Sequence, residues 1–245
     1  MLVSIITVCF NSEETIQRTL ESVLNQTSKN FEYLIIDGAS TDGTLSIIRE
    51  YQSKFACRNI PYQVYSEKDK GIYDAMDKGI KKARGEIIGI INSDDWYEPT
   101  AVERITELYR QEPFGICMSS LYLWKGGRRR KKVPRVRAYK TSRDLCHPSM
   151  FVTKETYRRI GVYSRKMVFY GDFDFWLRSF KREVKITICD EVTSNYTIGG
   201  MSNQKSIAKM LMRTKERCLA YRRNGYSRFY YLESILIETA KMILA

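Results

Sequence analysis

Carboxylates stand at several points of this 245-residue chain where they could do chemistry. Asn92-Ser93-Asp94-Asp95 directly follows the apolar run Glu86–Ile91. Adjacent carboxylates repel each other unless a cation or a hydrogen-bond donor neutralises them. Hard oxygen ligands of this kind suit Mg²⁺ or Mn²⁺, which take one or two carboxylates together with the phosphates of a ligand. The competing reading is a polar turn, with Asp95 near the start of the next helix. Asp37 also ends an apolar run and is placed to accept a hydrogen bond from a base N–H, whereas Asp42 reads as a helix cap. From the residues alone, Asp172 and Asp174 read as caps of a helix over Phe175–Phe180. His147 is the only histidine; a lone histidine is more often structural than catalytic, and nothing else in the sequence completes a His-based triad or zinc site around it. Trp96 and Trp176 have rings that can stack on a sugar, with core packing the alternative.

The elements that must position these groups alternate in type. Leu2–Val8, Phe31–Ile36, Ile60–Tyr65 and Glu86–Ile91 read as buried strands. Between them, helical spacing places Ile16, Leu20, Val23 and Leu24 on one face, then Leu45, Ile48, Tyr51 and Phe55, then Ile72, Ala75, Met76 and Ile80. Asn11 with Glu14 fits a capping box for the first helix. Such alternation implies a parallel sheet with right-handed crossovers, in which ligands bind outside the carboxyl ends of the strands. The loops at that rim hold Cys9–Ser12, Asp37–Asp42, Ser66–Gly71 and Asn92–Asp95, and three of the four are acidic.

The second half reads as strands over Phe114–Trp124, Met150–Thr153 and Val184–Cys189, with an aromatic-rich helix at Asp172–Phe180 and helical spacing from Asn203 onward. Its charge differs from that of the first half. Residues 1–111 carry 13 Lys/Arg and 17 Asp/Glu, a balance of −4, whereas residues 112–245 carry 28 and 11, a balance of +17. A basic half of this kind implies a polyanionic partner: nucleic acid, an anionic membrane face or a phosphorylated lipid. Lys125–Arg143 holds ten Lys/Arg and no acid, which fits a solvated loop or a contact with anionic lipid. Lys205–Arg223 fits either an interfacial amphipathic helix or a helix packed on the core, with packing favoured.

Several classes are excluded or left without support. No G-x-G-x-x-G follows the first strand and no P-loop occurs, which argues against a dinucleotide dehydrogenase and a P-loop enzyme. The six cysteines are scattered with no C-x-x-C pair, so neither zinc nor a disulfide framework is expected. No apolar run approaches the ~20 residues of a membrane helix. The start lacks the basic region of a signal peptide, so the expected compartment is the cytosol. No nucleic-acid-binding motif is present, and nucleic acid is not an expected partner. A polyanion-binding module and a catalytically inactive scaffold remain as rivals to an enzyme.

Taken in order, the segments Val3–Asn11, Asp37–Asp42, Glu67–Gly79 and Asn92–Asp95 resemble the family 2 glycosyltransferases. Cys146–Phe151, Gly171–Asp174 and Gly199–Ser202 extend the likeness and resemble the branch that builds bacterial exopolysaccharide, including the colanic-acid type. The resemblance implies a GT-A fold: an α/β, Rossmann-like, mixed and mostly parallel sheet flanked by helices. Residues 1–200 would be the catalytic domain, with 1–111 binding a nucleotide sugar and 112–200 the acceptor, and residues 201–245 a helical extension. Asp37 would bind the nucleobase, and Thr7, Cys9, Asp69, Asn92 and Asp94 would complete the donor site. Asp95, with Asp94, would hold Mn²⁺ or Mg²⁺ bridging the diphosphate, Asp95 being the favoured ligand. Asp172 falls at the general base, and His147 and Trp176 near the diphosphate or acceptor. The implied partners are a nucleoside-diphosphate sugar, with UDP favoured, and a glycan or lipid-diphosphate-linked acceptor at the inner face of the cytoplasmic membrane. The chain departs from the family pattern at Asn92 and Asp77, at Pro148, and at Gly171, where Glu often precedes the catalytic Asp.

Overall fold

A computed structural model describes residues 1–199 and 206–244. In chain order, β1 (Val3–Cys9), α1 (Ile16–Leu24), β2 (Phe31–Asp37), α2 (Thr44–Cys57), β3 (Tyr62–Ser66), α3 (Ile72–Lys82) and β4 (Ile87–Asn92) form the alternating half. A two-residue strand β5 (Trp96–Tyr97) and α4 (Ala101–Gln111) lead to β6 (Ile116–Lys125), β7 (Arg128–Lys132), β8 (Met150–Thr153) and α5 (Lys154–Ile160). Then come α6 (Gly171–Lys181), β9 (Ile186–Thr197), α7 (Ile207–Arg223) and α8 (Phe229–Leu244).

One sheet runs β3-β2-β1-β4-β8-β6-β9-β5, with β7 paired to β6. The first four strands are parallel, as their helical crossovers require. β8 then pairs antiparallel with both β4 and β6, so the sheet is mixed. β1 and β2 are buried along their whole length, which explains their unbroken apolar runs. One face is covered by α1, α2 and α4 through Ile16, Leu20, Ile48, Phe55, Val102 and Ile105. The other is covered by α3 and α6 through Met76, Ile80, Phe173 and Trp176.

Two sequence expectations need correction here. Asn11 does not cap α1, which begins only at Ile16. Instead Asn11 takes a positive φ of 47°, and its Oδ1 accepts from Thr41 N at 2.9 Å, tying the first rim loop to the second. The basic run is not simply a loop: Arg128–Lys132 is strand β7, exposed along most of its length.

The α7–α8 pair packs against α6, with Ala220 and Tyr221 joining the core and Tyr221 edge-on to Phe173 of α6. Buried Arg213 pairs with Glu238 at 2.7 Å, and Arg217 reaches Glu233 at 3.1 Å and Glu238 at 3.6 Å, so the charges sequestered between the helices are matched. Of the Gly199–Ser202 segment, residues 200–202 lie outside the described residues, as do Asn203, Gln204 and Lys205. Among the described residues, no helix is long and apolar enough to cross a membrane.

Candidate active site

Strand register brings the rim together. Cys9 lies beside Asp37, Asp37 beside Ser66, and Val8 beside Asn92. Above this rim is a cavity of about 770 Å³, lined by Glu13, Glu14, Asp42, Asp69, Asp94 and Asp172, and by no Lys or Arg among the described residues. Asp69 Oδ1 accepts from Gly71 N at 2.9 Å. Gly38 lets the Asp69 carboxylate approach the β2 loop, because a Cβ there would lie 2.7 Å from Asp69 Oδ2. Phe10, 60% exposed, stands on the same wall.

The two adjacent aspartates part company. Asp94 is half-buried and faces the cavity, and burial raises its pKa, with Arg18 opposing. Asp95 is fully buried and does not line the cavity. Its Oδ1 accepts from Thr197 N at 2.9 Å, so it ties the end of β4 to β9, while its Oδ2 has no partner. Burial, then the Asp94 charge, raises its pKa well above the ordinary carboxylate range. Of the pair, the structure therefore presents Asp94, not Asp95, to a cavity ligand. Asn92 lines the cavity with its buried Oδ1 unpartnered.

This donor set fits a divalent cation with few protein ligands. No group of three or more His, Cys, Asp or Glu side chains converges on a metal-sized site among the described residues. A cation shared between one carboxylate and a diphosphate needs no such group.

The sequence-assigned nucleotide residues are divided between cavity and interior. Cys9 lines the cavity, its thiol kept protonated by burial and by Asp37. Thr7 is buried beneath the rim, hydrogen-bonded to Tyr33 Oη at 2.8 Å, and does not line the cavity. Asp37 is also buried, its carboxylate accepting from Ser40 N at 3.0 Å, from Ser40 Oγ, and from Ser66 Oγ at 2.6 Å. In this arrangement Asp37 organises the rim loops. The Thr7 assignment is corrected, because a side chain sealed against Tyr33 has no face toward a nucleotide.

A second cavity of about 560 Å³ lies beyond a shared wall made of His147, Pro148, Phe169, Asp172 and Tyr196. Asp172 sits in the first turn of α6, half-buried. Its Oδ1 accepts from Tyr73 Oη at 3.0 Å and from Phe173 N at 2.8 Å. Gly171 has a structural reason: a Cβ there would meet the Tyr73 ring at 2.8 Å. The side chain missing before Asp172 is replaced by a tyrosine from α3 that donates to it. His147 Nε2 lies 3.3 Å from Tyr163 Oη, and burial lowers its pKa while Asp172 opposes, which favours the neutral ring. Trp176 is fully buried between Phe173 and Phe180, so its assignment to acceptor stacking is corrected. Trp96 lies under the Arg18 guanidinium, 3.6 Å from the ring centroid, and lines neither cavity.

Sequence reasoning missed Tyr73, Phe10 and Glu216. Glu216 of α7 accepts from Val168 N and Phe169 N at 2.8 Å each and from Tyr170 N at 3.1 Å. It clamps the segment that leads into Asp172. Tyr73 lies inside the Glu67–Gly79 motif, and Phe10 directly follows β1, so both carried a positional signal. Glu216 carried none, because its partners are backbone groups 46 or more residues away in sequence.

This architecture, with an acidic rim facing an aspartate across a cleft, is that of a GT-A enzyme. Residues 4–181 match the profile of Glycosyl transferase family 2, and the chain belongs to that family. It is 29% identical over 210 residues to a "PGL/p-HBAD biosynthesis glycosyltransferase" of Mycobacterium bovis, covering 82% of this chain and 78% of that one. Among solved structures, S. aureus TarS 1-349 in complex with UDP-GlcNAc aligns with TM-score 0.71 at 16% identity, over 98% of this chain and 72% of that one. The mannosyltransferase PcManGT of Pyrobaculum calidifontis, in complex with GDP-Man and Mn²⁺, aligns with TM-score 0.70 at 15% identity, over 99% and 70%.

Proposed function

We propose that this glycosyltransferase moves a sugar, with inversion, from a UDP-sugar to a hydroxyl of a glycan or lipid-linked acceptor in bacterial surface polysaccharide synthesis. The observation that carries this reading is the first cavity, with six carboxylates, Asp172 on its far wall among them, and no Lys or Arg among the described residues. Such a cavity would repel a diphosphate unless a cation accompanied it. Asp94 would hold Mn²⁺ or Mg²⁺ together with the diphosphate oxygens, and the cation would offset the charge that develops on the leaving group. Phe10 offers an exposed ring for the uracil, with Asp69 and Asn92 on the same cavity surface. That TarS was solved with UDP-GlcNAc, and the Pyrobaculum enzyme with Mn²⁺, supports this choice of donor and cofactor.

Asp172 removes the proton from the acceptor hydroxyl as its oxygen bonds to the anomeric carbon. The anomeric carbon–oxygen bond to phosphate breaks, and its electron pair leaves with the nucleoside diphosphate. A single base opposite a single leaving group gives one displacement, hence inversion. Tyr73 orients the carboxylate through one oxygen and leaves the other for the hydroxyl. A thermal-shift panel of nucleoside diphosphates with and without Mn²⁺ tests the donor assignment. UDP is expected to stabilise the protein only with the metal, and no shift with any nucleotide would overturn the reading.

The exposed face of the C-terminal helices supports peripheral attachment to the inner membrane leaflet. Ile207, Leu211, Phe229, Leu232 and Leu236 are each at least 59% exposed, and β7 adds basic residues elsewhere on the surface. Sedimentation with vesicles containing anionic lipid should show binding at low salt that weakens as salt rises. Absence of binding at low salt would remove the membrane assignment.

A further inference from the structure

Residues 161–170, which join α5 to α6, form neither helix nor strand, yet they run directly into Asp172. Side chains from two helices hold this segment. From α6, Arg178 donates to Val162 O at 2.9 Å. From α7, Arg223 donates to Ser164 Oγ at 3.0 Å, and Glu216 accepts from the N–H groups of Val168, Phe169 and Tyr170. The segment itself reaches the other way, through Arg165, to α3.

Arg165 Nε lies 3.2 Å from Asp74 Oδ1, and its Nη2 donates to Asp77 Oδ2. Asp74 and Asp77 lie one turn apart on α3 and are buried, whereas the Arg165 side chain is 46% exposed. An exposed ion pair contributes little. A cation shared by two buried carboxylates is different, because its removal leaves buried charge without its partner. The other oxygen of Asp74 accepts from Lys70 N at 3.0 Å, in the loop before α3. Asp77, where the chain departs from the family pattern, thus has a cationic partner in this structure.

The tie bears on Asp172 because of what else α3 carries. Tyr73 precedes Asp74 and donates to Asp172 Oδ1 at 3.0 Å. α3 packs mainly on β1 and β2, whereas α6 packs mainly against α7. A hydrogen bond weakens steeply as its distance and angle change, so one between helices seated on different neighbours needs their spacing fixed. Gly171 lets the two approach, and Arg165 adds charge-assisted bonds that hold them together.

We propose that Arg165 is a positioning residue for the transfer reaction: it clamps the segment entering α6 to α3, so that Tyr73 stays hydrogen-bonded to Asp172. The proposal rests on the reading of Asp172 as the base.

The test is fluorine NMR of the full chain carrying meta-fluorotyrosine, with the Tyr73 resonance assigned by Tyr73→Phe. Asp172→Asn gives the displacement of that resonance when the carboxylate is lost; no displacement would show that the bond is not made and overturn the proposal. Arg165→Met keeps an apolar stem and removes the charge, and is expected to produce at least half of that displacement. Asp77→Asn, a milder change, is expected to move the resonance the same way by less. Lys81→Met removes a second cation on Asp77, 3.1 Å from Oδ2, that belongs to α3 itself, and is expected to leave the resonance in place. Turnover of Arg165→Met should fall as far as that of Tyr73→Phe, with metal-dependent UDP binding retained. A resonance unmoved in Arg165→Met, with or without a lower Tm, would make Arg165 structural only and overturn the proposal. An equal displacement in Lys81→Met would trace the effect to the charge on Asp77 and overturn it too. Near-normal turnover in Asp172→Asn would strike the base reading instead, and the fluorine measurement would remain readable.

Discussion

Two cavities share one wall and have opposite charge. Among the described residues, the larger is lined by six carboxylates and no Lys or Arg, the smaller by four cations and one carboxylate, Asp172, which lines both. The difference lies in where the charge that would offset each lining comes from. On the acidic side the proposed reading has a diffusible metal ion arriving with the nucleotide, whereas on the basic side Lys125, Lys132, Arg143 and Arg213 bring positive charge from the protein itself. A diphosphate without metal is expected to be repelled from the acidic side. The charge imbalance along the chain, −4 then +17, anticipates this division, because the acidic rim comes from β1–β4 and three of the four cations from residues 125–143.

The most severe way to break the comparison is at the shared wall. Asp172→Asn keeps the shape of the side chain and removes the base. Transfer is expected to fall by roughly 10²–10⁴-fold, the range general-base catalysis contributes. Metal-dependent UDP binding should stay within about twofold, because Asp172 is only one of six carboxylates on the donor side. Near-normal turnover in the purified variant would remove Asp172 from the mechanism.

The next effect is confined to the acidic side. Asp94→Asn should weaken Mn²⁺-dependent UDP binding by about tenfold or more, comparable to losing a charge-assisted contact of ~1.5–3 kcal/mol. Because burial raises the Asp94 pKa, metal-dependent UDP affinity in the wild type should fall as pH drops through that elevated pKa, beginning above the ordinary Asp value. An affinity flat with pH down to ~4, the ordinary Asp value, would contradict the assignment.

A smaller effect is expected behind the wall. Glu216→Ala leaves three backbone N–H groups without their acceptor, of which that of Tyr170 belongs to a buried residue. A buried donor left unsatisfied costs about 1–3 kcal/mol. The segment carries Phe169, which lines both cavities, and runs directly into Asp172. We expect kcat to fall about tenfold with little change in donor KM. A lower Tm with unchanged kcat would make Glu216 structural only.

How far the sequence revealed this arrangement depended on whether the signal was local. The four parallel strands were legible because strands buried on both faces are continuous apolar runs, and the rim followed from their carboxyl ends. Asp94 was legible as a candidate for the same reason, whereas Asp172, in the first turn of α6, read as a helix cap from the residues and became a candidate base only through the family resemblance. What sequence does not encode is the direction of a side chain within a turn: Asp94 and Asp95 are neighbours, yet one faces the cavity and the other the interior. Nor did it show that Thr7 lies under Tyr33 or that Trp176 is enclosed by α6 neighbours, since these depend on packing between elements. The gap before Asp172 looked like a departure from family pattern. Only the Tyr73 ring, 99 residues from Asp172 in sequence, explains it. The helical extension was legible as helix, but its share in the second cavity, through Arg213, Ile237 and Ala240, was not.

Asp95 provides the mildest and most discriminating test, since it touches neither cavity. Its folded-state pKa is raised, so the neutral form is favoured in the native protein. The penalty for ionising it is therefore absent below the unfolded pKa of ~3.9 and accrues as pH rises above it. Asp95→Asn retains an oxygen that can accept from Thr197 N and removes the charge. The variant is expected to have a higher Tm than wild type at pH 7, with the difference closing as pH falls toward 4. For a chain of this length each 1 kcal/mol reads as about 2–4 °C. If Asp94 alone faces the ligand, UDP affinity in the Asp95 variant should remain within about twofold of wild type. Loss of metal-dependent binding in Asp95→Asn, with binding kept in Asp94→Asn, would reverse the two roles and return the metal to the buried carboxylate.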